Sequence, residues 1–450
     1  MAESRAAEIP APRRLGFWLC LALVVGNVVG TGIFLIPAAL APYGVNAVYG
    51  WLVTIAGGLC LAYVFARLAA AMPEANGPYG YIEAGLGAPP AFFVMWSYWI
   101  SLWVTNAAVA IGAVSYLGAL IPGLSGPLAG PFAAIALVAA FTAVASRGAR
   151  VSGGVQLVTA VLKLVPLVAV ILLAAAVLGG DGEAPGGFAP APVSGGGVAA
   201  AAAIALWAML GFESATVPAG KVRDPARTIP RATLAGTLLV GLVYLLSSSA
   251  VFLLLPHEQA AQSNAPLADL FALNWSPAAG SLVAAFAAIS ALGALNGWVL
   301  LQAEVPFALA RAGVFPAAFA RVNRAGMPAL GQAVGLVLTG GLIATNLSRG
   351  LAGLYAFMIL LATVATLVLY LCASLAALAL LRRGILAGAG AGAAAAAGLL
   401  FSLWTLWGAG GEAVLWGAAL VASGIPVYLL MSRNRRRGTT VHQPSCLTKE

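Results

Sequence analysis

Twelve apolar stretches organise this chain, at approximately 15–41, 46–71, 91–121, 128–146, 155–178, 198–219, 232–255, 278–309, 328–346, 351–381, 384–408 and 412–431. Each is roughly 18 to 30 residues long, the length a helix needs to cross the hydrocarbon of a bilayer. Residues 15–431 are therefore read as one membrane domain, because the longest polar stretches are the loop 179–197 and the tail after Met431. With 62% hydrophobic and 8% charged residues, the chain has a composition that no water-soluble globule needs. The expectation is an all-α integral membrane protein of twelve transmembrane helices, with short polar tails at 1–14 and 432–450.

Charge supplies the orientation, since Lys and Arg near helix ends are retained on the cytoplasmic side. Arg5, Arg13 and Arg14 precede the first stretch. Arg67, then Arg147 and Arg150, then Lys221, Arg223, Arg227 and Arg231 mark alternate exits, followed by Arg311, Arg321 and Arg324, then Arg382 and Arg383, and finally Arg433, Arg435, Arg436, Arg437 and Lys449. Of 22 basic residues this arrangement leaves only Arg349 outside and Lys163 within the membrane, while Asp181, Glu183, Glu258, Asp269 and Glu412 fall on the outer loops. Both termini are expected in the cytoplasm, and the net charge of +9 is a topology signal, with no bearing on nucleic acid. No small-residue cleavage site precedes Leu15, so the first stretch is expected to stay in the mature protein. Cys20, Cys60, Cys372 and Cys446 have neither metal-ligand spacing nor an outer-face pair, so no disulfide is expected. His257 and His442 are too far apart in loop and tail to build a metal site, and no cofactor is expected.

Two stretches carry breaks. The first contains Gly26-Asn27-Val28-Val29-Gly30-Thr31-Gly32, three glycines in seven residues, and each interior glycine costs a helix about 1 kcal/mol relative to alanine. The sixth contains Trp207-Ala208-Met209-Leu210-Gly211-Phe212-Glu213, five stretches later. Freed backbone groups are tolerated at membrane depth only where they face protein, water or a ligand. Paired interruptions in corresponding positions of two halves point to an inverted-repeat transporter with its site at mid-membrane.

Three strings carry a specific likeness: GNVVGTGIFLIPAALA, LWAMLGFESATVPAGKVRDPARTIPRA and GALNGWVLLQAEVPFALARAGVFPAAFARVN. They resemble the amino acid–polyamine–organocation superfamily, and within it the basic amino acid/polyamine antiporters, above all the arginine/agmatine antiporters. The likeness runs collinearly from about Leu15 to Met431. It implies a five-plus-five inverted repeat (LeuT-like) of residues 15–178 and 198–381 with broken helices 1 and 6, two further helices at 384–431, and alternating access in a bacterial inner membrane. Its members commonly form homodimers.

The resemblance implies an amino acid or amine as substrate, and half-helix ends complement its two backbone charges. Gly30, Gly32 and Thr31 would donate to the carboxylate, and the carbonyls of Val28, Trp207 and Leu210 would accept from the ammonium. Asn27 and Thr31 also suit a backbone cap at the break. By matching position, Trp298 stacks on the guanidinium, Trp207 lies along the aliphatic chain and gates the outer side, Asn106 pairs with the guanidinium, Tyr98 belongs to the outward gate, and Ser101 is one of the substrate-binding residues. Leu102, Val109 and Ala362 stand where the family's arginine site uses small or polar residues. They leave room for a smaller or more apolar cargo, because a pocket that cannot pair a polar head group rejects it.

Lys163, inside the fifth stretch, departs from the arginine/agmatine pattern. An ionisable residue at that depth is costly and usually functional. Other members of the superfamily, including proton-coupled permeases, carry a lysine there, which makes a proton-coupled permease or exchanger of neutral or small amino acids the alternative. Glu213 matches a glutamate of the proton-linked gate and also suits a cap of the freed backbone. Glu304 lies nearer the cytoplasmic end and suits an ion pair. The segment Lys221–Arg231 suits either an inner latch or a topology anchor. No GxxxxGK[ST] phosphate loop, no convergent catalytic constellation and no channel filter sequence occurs, so the sequence reads as a secondary transporter and not an enzyme.

Overall fold

The computed structural model describes residues 16–30, 32–73, 75, 77–147, 163–179, 186–212, 222, 224–388 and 390–437. In chain order its helices are α1 (Phe17–Val28), α2 (Gly32–Leu40), α3 (Asn46–Ala71), α4 (Gly77–Leu86), α5 (Ala88–Leu120), α6 (Ala129–Ala145), α7 (Leu164–Leu178) and α8 (Gly195–Met209). They continue as α9 (Pro225–Leu254), α10 (His257–Gln262), α11 (Pro266–Asn274), α12 (Pro277–Arg311), α13 (Ala329–Ala344), α14 (Gly350–Arg382), α15 (Ala391–Gly408), α16 (Gly411–Ala422) and α17 (Gly424–Arg437). The architecture of the described residues is all-α. Seven of their helical segments are long and apolar enough to cross a membrane: Asn46–Ala71, Ala88–Leu120, Arg227–Leu254, Pro277–Arg311, Leu347–Arg382, Ala391–Gly408 and Gly411–Ser432.

The bundle is built around α5. Its most apolar window is 94% buried, and it packs chiefly on α12 and α14, with α6 and α4 beside it. A second layer joins α3 to α9 and α8, and α1 lies on α9. Small residues set the spacing, as expected where van der Waals contact and not water exclusion drives helix association. A Cβ built on Gly50 of α3 would sit 2.7 Å from the Ala201 Cβ of α8, and Thr54 donates to the Ala202 carbonyl across the same contact at 3.2 Å. The last span, Gly411–Ser432, is peripheral, with only 11% of its window buried. Exposed Trp18, Val337, Leu400 and Leu415 are the lipid-facing side of such a bundle.

Helix ends follow local chemistry. Ser194 and Ser276 cap α8 and α12, their hydroxyls accepting from Gly197 N at 3.0 Å and Ala279 N at 3.2 Å. Among the boundaries that differ from the apolar stretches, two have a local cause. α9 begins at Pro225, ahead of the 232 expected, because a proline at the first helical turn extends the helix through polar residues beyond the hydrocarbon. α15 begins only at Ala391, because Gly384, Gly388 and Gly390 take φ of 71°, 143° and 79°, a region closed to a continuing helix. The short helices α4, α10 and α11 lie in connections, where no apolar length marks them.

The two ends of α14 separate the charges. At one, Arg383 donates to the Ala84 carbonyl at 2.8 Å, and Arg67 donates to the Ala387 carbonyl close by. At the other, Arg349 pairs with Glu412, donates to Asn346 Oδ1 at 3.0 Å and lies 4.2 Å from the Phe357 ring centroid. The one arginine assigned to the outer side thus meets an acidic residue assigned to the same side.

Candidate binding site at the helix breaks

The first expected break is present, and at the second the helix ends where expected, with residues 213–221 outside the described ones. α1 ends at Val28, Val29 turns extended with ψ of 92°, and α2 starts afresh at Gly32. α8 ends at Met209, Leu210 is extended with ψ of 145°, and Gly211 has φ of 111°, a conformation that an L side chain rarely adopts. The carbonyl end of α1 and the amide end of α2 thus face one another across a gap, one offering partial negative charge and the other partial positive.

Three tyrosine hydroxyls from three different helices fasten this gap. Tyr244 of α9 donates to the Val28 carbonyl at 3.1 Å, Tyr355 of α14 to the Gly32 carbonyl at 3.0 Å, and Tyr116 of α5 to the Phe34 carbonyl at 2.6 Å. All three rings are buried. The bond to Val28 satisfies a carbonyl at the end of α1, the condition for irregular backbone at this depth, and the other two tie the first turn of α2 to α14 and α5.

A cavity of about 20 Å³ opens between the breaks, lined by Val28, Gly30, Gly32, Thr105, Val109, Trp207, Ala208, Leu210 and Trp298. That is room for about one water. The reason is Trp207, whose ring lies directly on Gly32: a Cβ there would come within 2.6 Å of the indole Cζ3. Behind it, Tyr355 meets the same indole edge-on, with centroids 5.7 Å apart and planes at 87°. Tyr355 also lines a second cavity, of about 220 Å³, with Leu35, Pro42, Ser115, Ser263 and Ala356. The Trp207–Tyr355 pair is the partition between the two spaces.

Six of the residues expected at the site, Val28, Gly30, Gly32, Trp207, Leu210 and Trp298, line the small cavity together. Val109 joins them, so one of the apolar departures does face it. Tyr98, Ser101, Leu102, Asn106 and Ala362 lie outside that lining. Ser101 donates to its own helix at the Tyr98 carbonyl, 2.7 Å away, and Asn106 donates to Gln302 Oε1 at 2.7 Å. Asn27 belongs to α1, but its side chain, like the whole of Thr31 and Glu213, lies outside the described residues. Lys163 stands at the start of α7 with 4% of its surface exposed, and neither ion pair of the described residues includes it. Those residues hold no cluster suited to a metal.

Sequence reasoning missed the tyrosines and Gln302. Tyr244 and Tyr355 sit in aliphatic runs, where a tyrosine ordinarily reads as an interface anchor. Gln302 had a signal, an uncharged polar side chain deep inside the eighth apolar stretch.

A family model described as amino acid permease matches residues 15–407. The chain is 34% identical over 323 residues to the cadaverine/lysine antiporter of Escherichia coli K12, covering 71% of this chain and 72% of that protein. It is 29% identical over 418 residues to the putrescine transporter PotE of the same strain, covering 91% and 94%. A putative arginine/ornithine antiporter of Bacillus subtilis 168 is 32% identical over 412 residues, covering 83% and 85%.

Proposed function

Because the chain belongs to the amino acid permease family, whose members are membrane transporters and not enzymes, we propose that it exchanges a cationic amino acid for the corresponding decarboxylated amine. The observation that carries this reading is the cavity between the two breaks, where half-helix ends of opposite polarity meet two tryptophan rings. In it, the α2 amides of the Gly30–Gly32 segment, with Thr31, take the substrate carboxylate, and the carbonyls of Val28, Trp207 and Leu210 take its α-ammonium. An amine product lacks the carboxylate and uses only the second set. Trp298 presents an indole face to the cationic end, a contact worth about 0.5–2 kcal/mol. The relatives named for lysine, putrescine, arginine and ornithine share one substrate design, an apolar stem ending in a cation. Arginine with agmatine is the pair that the motif likeness favours.

The fold proposed to support this is twelve helices in a five-plus-five inverted repeat, in which α1–α2 and the segment from α8 onward occupy equivalent places. Alternating access then needs Trp207 to leave Gly32, since the cavity does not admit an amino acid in this conformation. Proteoliposomes test the reading: uptake of labelled lysine, arginine or ornithine should depend on an amine or amino acid trapped inside. Uptake that needs no internal substrate and follows an imposed pH gradient would instead support proton-coupled transport of neutral or small amino acids. One observation favours that second reading, the buried Lys163 outside both ion pairs. Under it, Lys163→Ala abolishes the dependence on the pH gradient.

A further inference from the structure

Deep in the bundle, α5 and α12 share two hydrogen bonds centred on one residue. Asn106 Nδ2 donates to Gln302 Oε1 at 2.7 Å, and Trp99 Nε1 donates to the Gln302 carbonyl at 2.9 Å. Both amide side chains are 0% exposed, yet Asn106 Oδ1 and Gln302 Nε2 have no partner among the described residues. Exchanging oxygen and nitrogen in both amides leaves the same inventory, one open acceptor and one open donor. Leaving such atoms unpaired at this depth costs free energy that a structural pair would avoid.

Their position gives the open atoms a use. Gln302 follows Trp298 by one helical turn on α12, and Asn106 lies between Thr105 and Val109 on α5. Trp298, Thr105 and Val109 all line the cavity, so the pair lies next to its wall. Gln302 is also held in place from behind. A Cβ on Gly335 of α13 would come within 2.5 Å of the Gln302 amide, so only glycine leaves the side chain its present position.

We propose that Gln302 is a specificity-determining residue, which orients Asn106 so that the pair presents a fixed acceptor to the N–H groups on the cationic end of the substrate. The inference rests on the cation-exchange reading above and adds to it the feature that tells a stem ending in a cation from the same stem without one. Gln302 acts through Asn106 and is a positioning residue. A neutral side chain offers the open acceptor nothing, and a buried polar site left unpaired is what rejects the wrong ligand.

The test compares lysine with norleucine, which keeps lysine's four-carbon stem and lacks the terminal ammonium, as competitors of labelled lysine in proteoliposomes of wild type, Gln302→Met, Gln302→Glu and Asn106→Leu. Wild type should prefer lysine. Gln302→Met should lower the lysine-to-norleucine ratio by about tenfold or more, through KM for lysine, since hydrogen bonds to charged groups are among the stronger ones. Gln302→Glu, which keeps an acceptor for Asn106 Nδ2, should retain the ratio. Gln302→Met should have no further effect in the Asn106→Leu background. Gly335→Ala, which displaces the amide and leaves Gln302 in the chain, should repeat the Gln302→Met result and stands in for it if that variant does not fold. A wild type that prefers lysine together with an unchanged ratio in Gln302→Met or Gly335→Ala overturns the inference alone. A wild type that takes lysine and norleucine alike overturns the cation reading, and the role of Gln302 with it.

Discussion

Gly32 carries more of the site than any side chain. It begins α2, takes the Tyr355 hydroxyl on its carbonyl and lies under the Trp207 ring. Gly32→Ala should therefore push the indole aside at an overpacking cost of about 1–3 kcal/mol. The expected outcome is uptake reduced by about tenfold or more in proteoliposomes, with a shifted tryptophan emission spectrum and normal membrane insertion. Tyr355→Phe separates the hydroxyl from the ring. It keeps the edge-on contact with Trp207 and loses the bond to Gly32, so the thermal midpoint of the purified protein should fall by the equivalent of about 1 kcal/mol. These two residues were not equally legible. Three glycines in seven residues have no cheap place in a lipid-facing helix, so the break could be read directly. A tyrosine 323 residues further along the chain leaves no periodic trace of the carbonyl it will meet, because that partnership exists only once α14 and α1–α2 are packed. Gln302 shows the same limit: its depth was visible, its partner on α5 was not.

At the level of helices, legibility followed apolar length. α3, α5, α6, α12, α13 and α14 begin and end within about three residues of the apolar stretches, since hydrocarbon thickness sets them. α4, α10 and α11 answer to no such rule and could not be found that way. Packing between helices depends on which glycines touch a neighbour. Gly50→Val should force α3 away from α8, where Ala201 already fills the space, and lower stability by about 1–3 kcal/mol. Gly341 on α13 has nothing among the described residues within 4 Å of a built Cβ. Gly341→Ala should leave stability unchanged or raise it by up to about 1 kcal/mol through helix propensity. Detergent-solubilised thermal denaturation of the two variants side by side distinguishes contact from composition.

For the whole molecule, charge placement and bundle geometry agree on which ends share a side. Arg67 and Arg383 bond to neighbouring segments at one end of α14, and Arg349 meets Glu412 at the other. A fluorescent protein fused after Glu450 should fold and fluoresce if the basic tail is cytoplasmic, and stay dark if the orientation is reversed. The Arg349–Glu412 pair is itself a weak tether, with side chains 32% and 56% exposed, so Glu412→Gln should change stability by about 0–1 kcal/mol and less at high salt. The small cavity has a consequence on this scale too. A space of about 20 Å³ holds no continuous file of water molecules, and a proton or hydrated cation crossing a bilayer needs one. With Trp207 seated on Gly32, this conformation should not conduct, so proteoliposomes that contain the protein and no substrate should hold an imposed ion gradient as long as protein-free liposomes do.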